Sequence, residues 1–458
     1  MAGVEGLRGR QIALLGLGVE NRALAQFLHG RGVKFAVCDA REEVAQGRDL
    51  WHSSVDAWYL GPDYLDRLER FELIFRTPGI SCLHARLRRA RASGSKISSQ
   101  TRLFFECSPA PILGVTGTKG KGTTSALIAE IFKDSSRPRV FLGGNIGVPP
   151  IGFFDELHGD ALVVLELSSF QLQDLDRSPH VATVLNITED HLDYHADRDE
   201  YIAAKRTLCA YQGPGDVVVF NRDCPQAVEM ATSSAAERRL AFSIEEEVEA
   251  GVWCDGESLY LRRESDASAH PFCDVGDVRL KGRHNLENVA AAATAAAVAG
   301  ATDAQIADGI RRFKGLAHRL EEVGERQGVR YYNDSLATTP DAAVAAVRAF
   351  AEPLILIAGG SSKGGDFATL AKAIAEGQVK AVVLLGEEAG CIEAAIVQGG
   401  GYAGEIVRDC ADMGAAVEAV RRRARPGDVV LLSPGCASFG LFVDYRDRGE
   451  QFKRLALE

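Results

Sequence analysis

The chain has no C-x-x-C pair: its ten cysteines are scattered, and the nearest two, Cys209 and Cys224, stand fifteen apart. Neither a zinc site nor a disulfide framework has that spacing, so the thiols read as reduced and mostly buried, in a cytoplasmic protein. No apolar run approaches the ~20 residues that cross a bilayer, and the opening MAGVEGLRGR lacks the apolar core of a signal peptide. Basic residues are in deficit, with 52 Lys and Arg against 63 Asp and Glu and a formal charge of −11. Without a broad cationic surface, nucleic acid is excluded as an expected partner. Fixed-period repeats and low-complexity tracts are also missing, which removes solenoids and propellers. What remains is 458 residues, 46% hydrophobic and 25% charged, an ordinary globular composition that at ~150 residues per domain suggests about three domains.

The first of these opens with an apolar run, Gln11 to Leu15, followed by Gly16-Leu17-Gly18-Val19-Glu20-Asn21 and a helical pattern with Ala23, Leu24, Phe27 and Leu28 on one face. Strand, glycine turn and helix in that order let backbone N–H groups approach a phosphate. A second apolar run, Val33 to Cys38, ends at Asp39, near where a dinucleotide fold puts its ribose-binding acid. Asn21 replaces the third glycine, and a lone G-x-G also occurs in any tight strand-helix turn. Arg76-Thr77-Pro78-Gly79, after Leu73 to Phe75, is a plain turn or a second ligand-facing loop.

The strongest local signal follows the strand expected at Pro111 to Thr116: Gly117-Thr118-Lys119-Gly120-Lys121-Gly122-Thr123-Thr124, leading into a helix. Glycines free N–H groups to wrap phosphates, a lysine neutralises their charge, and a hydroxyl beyond it can hold magnesium. Gly122 stands where the usual loop has Ser or Thr, which leaves Thr123 as the first hydroxyl. Downstream, Ala161 to Leu165 delivers Glu166-Leu167-Ser168-Ser169-Phe170-Gln171-Leu172, and Val181 to Leu185 delivers Asn186 to His195, which crowds three carboxylates and two imidazoles together. Carboxylates at strand C-termini sit where ligands bind, so Glu166 is a metal-ligand candidate. His191 is a ligand or a structural imidazole, and Lys205 by itself reads as a surface charge. Val252 to Arg262 alternates around Asp255-Gly256, a hairpin signal. Asn285 and Asn288 share one face of an alanine-rich helix.

Taken together, the loop Thr116 to Thr124, Gly144-Asn145-Ile146-Gly147, the Glu166 to Leu172 stretch, Asp190-His191-Leu192-Asp193, His284 to Asn288, His318-Arg319, Asn333-Asp334-Ser335 and Leu432-Ser433-Pro434 resemble the Mur ligase family. The Glu166 to Leu172 stretch is most similar to its glutamate-adding members. The resemblance implies an α/β fold in three domains. These are an N-terminal Rossmann-like UDP-sugar domain (1–99), a central P-loop ATPase with a parallel sheet plus a small antiparallel sheet (100–315), and a C-terminal Rossmann-like amino-acid domain (316–458). It implies ATP and two magnesium ions as cofactors, UDP-N-acetylmuramoyl-L-alanine and glutamate as substrates, a monomer, and peptidoglycan precursor synthesis in the cytoplasm. Lys121 would contact the ATP phosphates, with one ion near Glu166 and a second near His191 and a carbamylated Lys205. Gly117, Thr118, Lys119, Gly120, Gly122, Thr123, Thr124, Asn285, Asn288, Arg319 and Asp334 would serve the nucleotide, Arg319 and Asp334 on domain closure. Gly18, Val19, Asp39, Thr77, Pro78, Gly79 and Asn145 match positions for the UDP-sugar. Ser168 is a further substrate candidate, and Thr338, Ser438 and Phe439 would face the amino acid; Lys363, on the loop after the strand expected at Leu354 to Ala358, is placed to pair with its side-chain carboxylate or is a solvated charge.

The chain departs from the family at Lys119, which replaces an asparagine, at Gly122, and at Leu336, where the D-glutamate-adding members usually carry a lysine. Glutamate stays the expected amino acid, with its handedness open. A nicotinamide dehydrogenase explains the first glycine turn and Asp39 but not the second loop with its lysine. A nucleotide-driven switch explains Lys121 but not the three-part plan, and folylpolyglutamate synthetase lacks the first domain.

Overall fold

Short apolar runs bounded by glycine and polar residues become strands of three sheets, with helices between them. The computed structural model describes residues 5–135, 139–188, 195–264, 268–280, 282–362 and 366–458, and the backbone alone at 45–49 and 409. The first sheet comprises β1 (Ile12–Leu15), β2 (Phe35–Asp39), β3 (Val55–Leu60), β4 (Leu73–Arg76) and β5 (Lys96–Ser98), all parallel in the order β3-β2-β1-β4-β5. β1 and β2 are buried along their whole length because helices cover both faces, and so they read as continuous apolar runs with no alternation.

The central sheet has nine strands: β6 (Ile112–Thr116), β7 (Val140–Gly144), β8 (Leu162–Glu166), β9 (Val181–Val184), β10 (Val217–Asn221), β11 (Arg238–Ser243), β12 (Gly251–Cys254), β13 (Ser258–Arg262) and β14 (His270–Asp274). Their order is β14-β13-β12-β11-β10-β9-β6-β8-β7. β12, β13 and β14 pair antiparallel, and the other neighbours pair parallel. The antiparallel element around Asp255-Gly256 therefore continues the parallel sheet as its edge, with Gly256 at φ +101° in the turn. The third sheet, β15 (Glu321–Arg326), β16 (Val329–Asn333), β17 (Leu354–Gly359), β18 (Val379–Leu385), β19 (Glu405–Cys410) and β20 (Val429–Leu432), runs β15-β16-β20-β17-β18-β19. Only β15 is antiparallel to its neighbour.

The chain divides into two compact units: residues up to Val278 with Arg283–Phe313, and Arg279–Gly282 with Lys314–Glu458. The first unit carries two sheets and the second carries one. In the two sheets of the first unit a central strand is flanked by strands reached in opposite directions, β1 between β2 and β4 and β6 between β9 and β8. Ligands of open α/β sheets bind outside the carboxyl ends of strands at such crossings. The alanine-rich helix Arg283–Val298 packs against the helix Lys121–Ile131, with Ala290 to Ala293, Ala295 and Ala296 wholly buried. Methyl side chains let the two axes approach closely, which brings Asn285 and Asn288 to the phosphate-type loop.

Candidate active site

The loop between β6 and the helix Lys121–Ile131 turns through Gly120 at φ +86°, a left-handed conformation that disfavours any side chain. A Cβ on Gly120 would lie 2.0 Å from Asn288 Oδ1, so any side chain there would also displace the Asn288 amide. Asn288 Nδ2 donates to Asn285 Oδ1 at 3.0 Å, and Thr124 Oγ1 reaches Asn288 Oδ1 at 3.5 Å. Both asparagines are thus brought to the loop. Lys121 Nζ donates to the carbonyls of Gly117 and Thr118, at 3.0 Å each. Lys205, 1% exposed, arrives from the helix Arg198–Ala210 and donates to the same Gly117 carbonyl at 2.7 Å, with Nζ 4.8 Å above the Tyr201 ring. The sequence alone offered Lys205 as a solvated charge. It is instead one of the most deeply buried large side chains.

Thr118 Oγ1 meets Tyr201 Oη at 3.0 Å and accepts from the Thr188 N–H at 2.8 Å. Its hydroxyl fixes the loop to the strand end after β9. Lys119 is exposed, and Gly117, Gly122, Thr123 and Thr124 are buried. Glu166 ends β8 in register with Val115, two residues ahead of the loop, and its Oε1 accepts from Asn145 Nδ2 at 3.1 Å. Asn145, matched to the sugar end, therefore sits on the metal-ligand candidate. Ser168 caps the short helix Ser169–Leu172 in a capping box with Gln171, a signal readable in the Ser-Ser-Phe-Gln spacing. His191 lies outside the described residues. The neighbouring His195 is buried, with Nε2 2.9 Å from Ser169 Oγ and its ring stacked on Phe170.

At the first sheet, Gly16 turns at φ +77°, and a Cβ there would lie 2.4 Å from Thr77 Cγ2, so Thr77 packs onto the glycine turn. Pro78 and Gly79 follow in the same loop, and the Pro78 carbonyl accepts from Arg76 at 3.3 Å. Asn21, the residue in place of the third glycine, is 1% exposed. Its Nδ2 donates to the carbonyls of Leu15, Gly16 and Phe75 at 3.1, 2.9 and 3.0 Å. One amide thus ties the ends of β1 and β4 together. Asp39 accepts from the Leu17 N–H at 2.6 Å and pairs with Arg41. Burial pulls its carboxyl upward, and the hydrogen bonds from Arg41 and Leu17 outweigh that pull and hold it below the usual carboxylate range. Gly18 is half-buried and Val19 is 65% exposed at the head of the helix Val19–His29.

In the second unit, Asp334 follows β16 and accepts from Ser433 Oγ at 2.8 Å and the Leu320 N–H at 3.1 Å. Burial pushes its carboxyl up to about 7 against those hydrogen bonds. Arg319 is exposed between His318 and Leu320, both at positive φ. Ser438 is buried, Thr338 half-buried and Phe439 63% exposed, all on loops at the carboxyl ends of strands. Lys363 lies outside the described residues. Sequence reasoning did not find Arg448, fully buried, which donates to Ser335 Oγ and to the carbonyls of Ser335, Cys436 and Ala437. It braces the two loops that carry Thr338 and Ser438.

Residues 10–99 match the N-terminal domain of the MurD-like Mur ligases, 115–296 the Mur ligase middle domain, and 318–436 the Mur ligase glutamate ligase domain. The UDP-N-acetylmuramoylalanine--D-glutamate ligase of Symbiobacterium thermophilum is 41% identical over 99% of both chains. That of Pelotomaculum thermopropionicum is 38% identical over 98% of this chain and 97% of its own. The chain belongs to the Mur ligase family. Among solved structures, UDP-N-acetylmuramate-alanine ligase of Thermotoga maritima shares the fold at TM-score 0.58 and 18% identity, over 97% of this chain and 98% of that one. The MurF ligase of Thermotoga maritima in complex with ADP matches at TM-score 0.57 and 17% identity, over 99% and 96%.

Proposed function

We propose that this chain is an ATP-dependent ligase that joins UDP-N-acetylmuramoyl-L-alanine to D-glutamate in cytoplasmic peptidoglycan precursor synthesis. The observation that carries the reading is the convergence of Lys121 and Lys205 on the Gly117 carbonyl, next to the strand end that presents Glu166. It is joined by full-length likeness to relatives named for D-glutamate addition.

The donor set suits a polyphosphate and divalent cations: a glycine loop that turns at positive φ through Gly120, a lysine at a helix start, and a carboxylate held by one amide. Magnesium, when bound, neutralises phosphate oxygens, and Glu166, His191, Lys205 and Thr123 are the residues assigned to two such ions. Two ammonium groups sharing one carbonyl repel each other. Addition of the neutral Lys205 amine to carbon dioxide, with loss of a proton, replaces one of them with a carbamate. The L-alanine carboxylate attacks the γ-phosphorus, the bond from that phosphorus to the β,γ-bridging oxygen breaks, and ADP leaves an acyl phosphate behind. The neutral amino group of glutamate adds to the carbonyl carbon of the acyl phosphate, the nitrogen gives up a proton, and the carbon–oxygen bond breaks to release phosphate. Lys121 and the N–H groups at the start of its helix offset the charge that spreads over the transferring phosphoryl group. Gly18, Val19, Asp39 and Thr77 to Gly79 hold the uridine nucleotide, and Thr338, Lys363, Ser438 and Phe439 the glutamate. We take the three parts 1–99, 100–315 and 316–458 as the working domains of a monomer.

The test supplies UDP-N-acetylmuramoyl-L-alanine, ATP and each glutamate enantiomer separately, and identifies the product by mass and chirality. The D-glutamyl product is expected, and product from L-glutamate alone would overturn the assignment.

A further inference from the structure

Glu20 is the second residue of the helix Val19–His29, directly after the glycine turn of the first sheet. Its carboxylate is committed inward: Oε1 accepts from Gln171 Nε2 at 2.6 Å and Oε2 from Gln100 Nε2 at 3.2 Å. Burial pushes this carboxyl up, the two amides and the Arg76 guanidinium oppose it, and the Asp174 charge adds to it. Gln171 is held at its other end as well, where its Oε1 accepts from the Ser168 N–H at 3.0 Å and from Ser168 Oγ at 3.1 Å. Ser168 stands two residues beyond Glu166, whose carboxylate is held by Asn145. Gln171 and Gln100 are 1% and 0% exposed, so these are interior contacts. One amide side chain thus connects the first turn of the helix at the glycine turn to the turn that presents Glu166. A partly buried carboxylate is an expensive filler, since an apolar side chain would pack the same space without a desolvation penalty. What the carboxylate adds is direction: two acceptors that fix two amides.

We propose that Glu20 is a positioning residue for ligation: through Gln171 it sets the glycine turn against the strand end bearing Glu166, so that the acid of the sugar nucleotide arrives at the phosphate loop. This rests on the functional reading above. A displacement of about 1 Å at a reacting centre lowers the rate by ~10²-fold, so such a clasp acts on turnover more than on nucleotide affinity.

Glu20→Ala removes both acceptors. Glu20→Gln keeps the volume and the acceptor for Gln171, and a half-turn of the Gln100 amide offers its Oε1, which has no hydrogen-bond partner, to the new N–H. Gln171→Leu cuts the same contact from the other side and serves if Glu20→Ala does not fold. Binding of UDP is followed by calorimetry, and ligation by steady-state kinetics. The expected result is UDP affinity within about threefold of wild type throughout, with kcat down at least about tenfold in Glu20→Ala and Gln171→Leu. In Glu20→Gln, kcat recovers to within about threefold of wild type. Unchanged kcat in Glu20→Ala and Gln171→Leu, or UDP affinity falling in step with kcat, overturns the proposal alone. Absent product in the wild type overturns the functional reading and this proposal with it.

Discussion

Lys121 and Lys205 donate to one acceptor, the carbonyl oxygen of Gly117, at 3.0 and 2.7 Å. Both side chains close on the loop that the phosphates would occupy, and Lys205 is 1% exposed. The carbamate reading predicts that protein equilibrated with carbon-13 bicarbonate shows a carbamate carbonyl resonance that Lys205→Ala lacks. The same variant is expected to lose about 10²-fold or more in kcat. A wild-type enzyme that is fully active with no such resonance would contradict the modification.

Asp334 carries a pH signature of its own. Its carboxyl is raised by burial from the ordinary 3.8 to about 7. Below about pH 4 the folded and unfolded states are both protonated and the group contributes nothing. Between about 4 and 7 the unfolded chain gives up the proton that the folded one keeps, so stability falls as pH rises. Above about 7 the loss is complete, on the order of a few kcal/mol. Asp334→Asn keeps the shape and removes the titration. In melts at pH 5 and pH 8, the variant is expected to gain on the wild type by several degrees over that interval. Parallel wild-type and variant profiles would show that Asp334 stays ionised.

Arg76 and Asp174 form a buried ion pair, 0% and 2% exposed, that joins the end of β4 to the segment after the helix Ser169–Leu172, with contacts of 2.7 and 3.1 Å. Arg76 also donates to the carbonyls of Phe170 and Ile80. Removing one partner leaves a buried charge alone. Arg76→Ala is therefore expected to destabilise by about 3–5 kcal/mol in urea titrations, and the double variant Arg76→Met with Asp174→Leu by less than either single change. Additive losses would mean that the two side chains act independently.

The strands and glycine turns were legible because parallel strands buried on both faces leave uninterrupted apolar runs, and because a phosphate loop needs glycine and lysine at fixed spacing. Lys205 was legible only through the family likeness, since nothing in a helical Lys-Arg pair tells which side faces inward. Asn21 looked like a defect in a glycine motif. Its role depends on Phe75, fifty-four residues away, whose carbonyl it holds together with those of Leu15 and Gly16. Glu20 and Arg448 were invisible for the same reason: a charge becomes interior only when distant segments close over it.

The central claim is that the sugar-linked carboxylate attacks the γ-phosphoryl group held at Lys121. UDP-N-acetylmuramoyl-L-alanine labelled with oxygen-18 in its alanine carboxylate tests this directly, with the released phosphate analysed by mass after a single turnover with ATP and D-glutamate. The account predicts that phosphate carries a carboxylate-derived heavy oxygen in step with each amide formed. Phosphate bearing only light oxygen would contradict it.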